Sequence, residues 1–195
     1  MFPEFLAQPV NAVAKNLLGC FLERTIDGRR IVVRIVETEA YDQDDAASHA
    51  YGGRTLRNQV MFGERGRLYV YFTYGMHYCC NVVTGQAGYG SGVLIRAVQP
   101  IKATELLEQR RGTTGVNVTN GPAKLCQALM IDRKLSNHDL RKMPLRLMYG
   151  SLLPGERVTQ TTRIGISKAT DELRRFYIAD NQYVSKPKTL RVAGV

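Results

Sequence analysis

An α+β fold in a single mixed domain, spanning residues 1–195, is what this sequence predicts. Three observations predict it. Short runs rich in Val, Ile, Tyr and Phe recur along the chain, and turn residues separate them, as in a sheet of interleaved strands. Helical spacing is confined to three segments. Neither GxGxxG nor GxxxxGK[ST] occurs, so a doubly wound, phosphate-loop nucleotide enzyme is a poor fit. With 195 residues and 44% apolar content the chain can bury a sizeable core.

Taken in order, Pro9 opens a segment over 10–18 with Val10, Val13, Ala14, Leu17 and Leu18 at helical spacing, and Gly19 stops it. Residues 20–24 and 29–38 read as strands around an Asp27-Gly28 hairpin turn. The polar, Gly-rich stretch 42–66 reads as a loop, and a loop that long inside a compact domain is usually functional or disordered. Strand-like runs follow at 68–73 and 77–83, joined through Tyr74-Gly75, and another covers 93–98. Pro100 introduces a helix expected to end near Gly112, a second polar loop fills 112–121, and Pro122 opens a helix over 123–131. Short strands are expected at 163–166 and 176–178.

Lys and Arg number 27 against 17 Asp and Glu, a net charge of +10. That balance favours a polyanionic partner, nucleic acid before an anionic membrane surface. No apolar run is long enough to span a bilayer, and residues 1–8 hold Glu4 but no Lys or Arg, unlike a signal peptide. The four cysteines show no CxxC spacing and there are three histidines, so a metal site or disulfide framework is not expected. A reducing cytosol fits this cysteine usage.

Several residues are odd for a purely structural role. In a regular strand over 31–41, Ile31, Val33, Ile35, Glu37, Glu39 and Tyr41 share one face, so two carboxylates continue an apolar row. Either the strand emerges into solvent by Glu37, or the glutamates pair with arginines, or they face a reaction. Arg96 interrupts an apolar strand; it needs a carboxylate opposite, for which Glu39 is the candidate, or it sits at an exposed strand end. Tyr69 and Tyr71 share a face, while Tyr74 stands beside Gly75 at a hairpin tip. Lys124 in the first turn of a helix opposes the macrodipole, which a bound phosphate would reconcile; plain surface placement is the alternative.

These residues bring a family into view. IVETEAY at 35–41, His49, RN at 57–58, MF at 61–62, LYVYFTYGM at 68–76, Asn81, Arg96-Ala97, GPAKLCQAL at 121–129 and RIGI at 163–166 stand in one order over nearly the whole chain. Together they make the sequence resemble the alkyladenine (3-methyladenine) DNA glycosylases of the human enzyme's type. The resemblance implies a curved, largely antiparallel sheet with surrounding helices and a protruding β-hairpin. It implies hydrolysis of the N-glycosidic bond of alkylated or deaminated purines in double-stranded DNA, without strand cleavage and without a cofactor or metal. 3-Methyladenine, 7-methylguanine, hypoxanthine and ethenoadenine would be substrates.

Carried over by position, the resemblance makes Glu39 the general base, with Glu37 its non-catalytic neighbour, and makes Arg96 and the carbonyl of Ile164 the holders of the attacking water. Tyr41, His49 and Tyr71 would surround the flipped base, and Asn81 would filter it. Tyr74 would be the wedge in the minor groove and Lys124 a contact to the DNA backbone. A flipping enzyme needs such a wedge and a stacking pocket. The stretch from Tyr41 to His49 is one residue shorter than in the human pattern, and the loop before Gly121 is shorter too. A cytoplasmic monomer is expected, nucleoid-associated in a bacterium or nuclear in a eukaryote. The competing reading is a non-catalytic nucleic-acid-binding module of the same fold; a similar domain is also appended to some tRNA formyltransferases, but no formyl-cofactor motif is visible.

Overall fold

The computed structural model describes residues 1–73 and 75–185. Its centre is one long strand. β1 (Phe21–Ile26) turns at Asp27-Gly28 into β2 (Arg29–Asp42), and both turn residues take positive φ, 52° and 72°, the mirror-image turn that suits the twist of a two-residue hairpin. β3 (Leu68–Thr73) and β4 (His77–Val83) form the second hairpin, followed by β5 (Ser91–Lys102), β6 (Leu145–Met148), β7 (Val158–Thr161) and β8 (Arg175–Ile178). The sheet runs β3-β4-β5-β2-β1-β6, with β8 joining β2 and β7, and every pairing is antiparallel. It is a mixed α+β domain with a curved sheet and helices around it, as the sequence predicts.

β2 changes neighbours along its length. Arg29 to Arg34 pair with β1, and Glu37 to Glu39 pair with β8, while β5 accompanies the strand on its other side. It is buried continuously from Ile31 to Ala40. The apolar core lies where α1 (Val10–Asn16), α2 (Thr104–Arg111) and α3 (Pro122–Ala128) cover one side of the sheet, with Val13, Leu17, Val36, Val82, Ile95, Leu107 and Leu125 all inaccessible to solvent. A smaller cluster of Ala50, Met61, Tyr69 and Val83, with Tyr71 packed against it, lies beneath the loop that follows β2.

Three boundaries depart from the sequence reading. Pro100 does not open a helix: β5 continues to Lys102, because Pro100 falls opposite Val33 at a register shift where a missing N–H is tolerated. α3 stops at Ala128, since Met130 takes φ 49° and the N–H of Ile131 closes on the carbonyl of Cys126, a helix stop made without glycine. The strand expected at 163–166 is a loop. Gly165 has φ 77°, which cannot continue a strand, and the Ile164 N–H is turned toward a side chain instead.

Candidate active site

Two bulges make the site. Between the pairs Ile35–Val98 and Glu37–Ala97 the residue Val36 has no partner; between Glu37–Ala97 and Thr38–Ile95 the unpaired residue is Arg96. A bulge re-aims side chains, and here it brings Arg96 against both glutamates. Its Nε donates to Glu37 Oε1 at 3.0 Å and its Nη1 to Glu39 Oε2 at 3.1 Å. All three side chains are buried, both glutamates with no exposed surface. Solvation of the strand end is therefore excluded for the glutamates and for Arg96 alike, and ion pairing takes its place.

The two carboxylates are held differently. Glu37 accepts from Arg175 Nε at 2.7 Å, from the Ser185 N–H at 2.6 Å and from Ser185 Oγ at 2.8 Å, besides Arg96. Ser185 also joins the arginines: its Oγ accepts from Arg96 Nη2 at 3.3 Å and its carbonyl from Arg175 Nη2 at 3.0 Å. Glu37 is thus tied into the fold from every side. Glu39 accepts from the Ile164 N–H at 2.8 Å and from the Tyr41 hydroxyl at 2.8 Å. Every partner of Glu39 is a donor, so it acts purely as an acceptor. Tyr41 and Ile164 are half-exposed whereas Arg96 is not, so these two form the solvent-side cover of the carboxylate.

Strand register spreads the site across the sheet. Glu39 stands opposite Leu94, Leu94 opposite Asn81, and Asn81 opposite Tyr69, one row over β2, β5, β4 and β3. Directly opposed residues share a face. In the neighbouring rows Tyr41 faces Gly92 and Tyr71 faces Cys79, so Glu39, Tyr41, Tyr71 and Asn81 converge on one surface. Burial raises the Tyr41 hydroxyl pKa, and Glu39 adds to the rise; Tyr71 is raised by burial and then by Cys79. Both hydroxyls stay protonated and able to donate. The Asn81 amide donates to the Tyr69 carbonyl at 3.4 Å, within its own hairpin.

His49 comes from the loop after β2. Its ring is exposed, meets Tyr71 edge-on at 4.6 Å between centroids, and places Nδ1 3.1 Å from the Tyr69 hydroxyl. Burial of the ring's inner side, reinforced by Arg57, lowers its pKa. Asn58 explains part of the RN motif, since its amide donates to the carbonyls of His49 (2.7 Å) and Gly53 (2.9 Å) and so pins the loop that presents the histidine.

The Arg163 guanidinium lies over the Tyr41 ring, 4.7 Å from its centroid, and has no exposed side-chain surface, so the ring face it covers is a buried one. Arg163 donates to the Ala40 carbonyl at 3.0 Å and grips both carboxylate oxygens of Asp45, a pair with no exposed side-chain surface. Lys124 lies in the first turn of α3, and its Nζ donates to Asn120 Oδ1 at 2.6 Å and reaches Asn117 Oδ1 at 3.5 Å. Partial burial, then Arg111, lowers its pKa. Tyr74 lies outside the described residues; its neighbours Gly75, Met76 and His77 are exposed at the tip of the second hairpin.

The structure thus brings Glu39, Arg96, Ile164, Tyr41, His49, Tyr71 and Asn81 to one place and sets Lys124 on a separate helix. Sequence reasoning missed Arg175, Ser185, Asp45 and the side chain of Arg163. Arg175 carried the same signal as Arg96, a cation bordering an apolar strand; Ser185 carried none. Among the described residues no helix is long and apolar enough to cross a membrane, and no three His, Cys, Asp or Glu side chains are grouped as metal ligands would be.

Residues 4–182 match the family described as methylpurine-DNA glycosylase (MPG). The chain is 50% identical over 185 residues to a protein of Carboxydothermus hydrogenoformans, covering 94% of this chain and 97% of the relative. It is 48% identical over 177 residues to one of Francisella tularensis (89% and 92% covered) and 45% identical over 190 residues to one of Methanoculleus marisnigri (93% and 96%). Each of the three is named as a candidate 3-methyladenine DNA glycosylase.

Proposed function

The chain belongs to the methylpurine-DNA glycosylase family, a family of hydrolases acting on N-glycosyl bonds in DNA, and from that premise we propose that it is a monofunctional glycosylase whose general base is Glu39. The observation that carries this reading is the unlike treatment of two neighbouring buried carboxylates. Glu37 is locked among Arg96, Arg175 and Ser185, whereas Glu39 faces the aromatic surface and is capped there by a tyrosine hydroxyl and one amide.

In this reading a damaged purine rotates out of the duplex and stacks among Tyr41, Tyr71 and His49, with Tyr74 filling the gap it leaves. Its arrival closes the aromatic surface over Glu39, whose carboxylate keeps the Tyr41 hydroxyl and the Ile164 N–H as donors. The C1′–N bond breaks with its electron pair leaving on the base, and the sugar becomes oxocarbenium-like. The Glu39 carboxylate stabilises that charge and accepts a proton from water as the water oxygen bonds to C1′. Arg96 and the Ile164 carbonyl orient the water. The products are free base and an abasic site. Alkylation at N3 or N7 makes the base cationic, which favours both its departure and its contact with tyrosine faces. The test is incubation with alkylated duplex in EDTA: free base together with intact abasic strands is expected, and binding without release would leave only a recognition module.

The substrate range in this proposal is 3-methyladenine first, then 7-methylguanine, hypoxanthine and ethenoadenine, the range of the human-type enzymes. Asn81, in the same row as Glu39, is its filter against the exocyclic amino group of guanine. Asn81→Ser is expected to raise kcat/KM for guanine-type bases relative to adenine-type bases, because a lost filter changes relative transition-state binding. The amide bond to Tyr69 gives the residue a structural use as well, and a folded variant with an unchanged ratio would reduce it to that use.

The DNA backbone would meet Lys124. Its present partners are neutral amides, which leaves its charge available to a phosphate. Lys124→Ala should weaken damaged and undamaged duplex alike, since backbone contacts carry no sequence information. The slope of log K against log salt should fall by about 1. Titration at a series of salt concentrations measures it, and an unchanged slope would remove Lys124 from the interface.

A further inference from the structure

Tyr41 would stack a base on one face, yet its other face already carries a cation. Arg163 lies 4.7 Å from the ring centroid, and among the described residues no aromatic ring stacks on Tyr41. A positively charged purine placed on the open face would meet a second positive charge across a single ring. Unbalanced, that arrangement would repel the very bases that alkylation makes cationic. It is balanced by Asp45, which holds Arg163 with both carboxylate oxygens in a fully buried pair.

The other charges around the ring are balanced as well. Glu39 pairs with Arg96, and Arg174 lies 2.8 Å from Asp42 and 4.0 Å from Asp45 while also meeting Glu172. Asp45 is therefore the group whose loss exposes the Arg163 charge to the open face of Tyr41. Burying an ion pair beneath a stacking ring has an electrostatic consequence beyond anchoring a loop, since charges interact strongly where water is excluded.

We infer that the Asp45–Arg163 pair determines specificity for base charge: Asp45 cancels the guanidinium behind Tyr41, so that the opposite face of the ring accepts cationic, alkylated purines as readily as neutral ones. The inference rests on the glycosylase reading above. Arg163 and Asp45 act through Tyr41 and do not touch the reacting atoms.

The experiment compares kcat/KM for release of 7-methylguanine, a cation in DNA, with that for hypoxanthine, which is neutral; where hypoxanthine release is too slow to follow, affinity for each duplex replaces the rate. Asp45→Asn should lower the cation-to-neutral ratio by roughly tenfold, the order of one unbalanced charge at this distance in a partly shielded medium. Arg163→Gln leaves Asp45 with only Arg174, 4.0 Å away and shared with Asp42, and should raise the ratio. The double substitution is neutral again, leaves neither charge of the buried pair without its partner, and should return the ratio to that of the wild type. Opposite shifts from the two single variants support the inference, and either one suffices if the other does not fold. An equal loss on both substrates in every folded variant would overturn it, leaving the pair a loop anchor. A wild-type protein that releases neither base would instead overturn the glycosylase reading.

Discussion

Glu39→Gln is expected to lower the rate of base release by at least about 10³-fold, the combined scale of a lost general base and a lost charge opposite the forming cation. Affinity for an abasic or damaged duplex should stay within a few-fold of wild type, because glutamine keeps the shape of the side chain and one acceptor oxygen for the Tyr41 hydroxyl or the Ile164 N–H. Single-turnover release and a parallel binding titration measure the two quantities. Arg96 keeps Glu37 and Ser185 as partners in this variant, so the fold should survive. A variant that binds weakly and releases base at an undiminished rate would strike Glu39 from the reaction.

Glu37→Gln should produce the opposite profile. Its carboxylate receives donors from Arg96, Arg175 and twice from Ser185, and all of these residues are buried. Replacing it leaves Arg175 without its carboxylate in the interior, and breaking a buried pair from one side costs about 3–5 kcal/mol. For a chain of this size that loss lowers Tm on the order of 10 °C. The folded fraction should still release base far better than Glu39→Gln does. Thermal unfolding and rate per folded molecule separate these effects; an equal loss of rate in the two variants would show that the roles of the neighbouring glutamates are wrongly divided.

Much of the fold was legible because it is local. The Asp27-Gly28 turn, the period-two runs at 68–73 and 77–83, and the face shared by Tyr69 and Tyr71 depend on neighbours in sequence, and they stand where the residues placed them. The errors arose where tertiary contacts overrode local signals. Pro100 reads as a helix start, but a strand already paired to β2 continues through it; Met130 ends α3 in a conformation that favours glycine; and 163–166 has strand composition but spends its polar groups on Asp45 and Glu39.

The candidate site divides along the same line. The cost of burying charge marked Glu37, Glu39 and Arg96 within apolar strands as needing an explanation, and the family resemblance, not that cost, grouped Tyr41, Tyr71 and Asn81 with them. The sequence by itself thus determined the family, the hairpins and which side chains needed an explanation. Only the tertiary structure decided that β2 is central and buried on both faces, that paired bulges turn Arg96 onto two carboxylates, and that Ile164 and Ser185, 125 and 148 residues away from the glutamates they cap, complete the site. The reason is physical: a bulge and a long-range cap arise from strand pairing and loop packing between distant segments, and no propensity of the residues involved encodes either one.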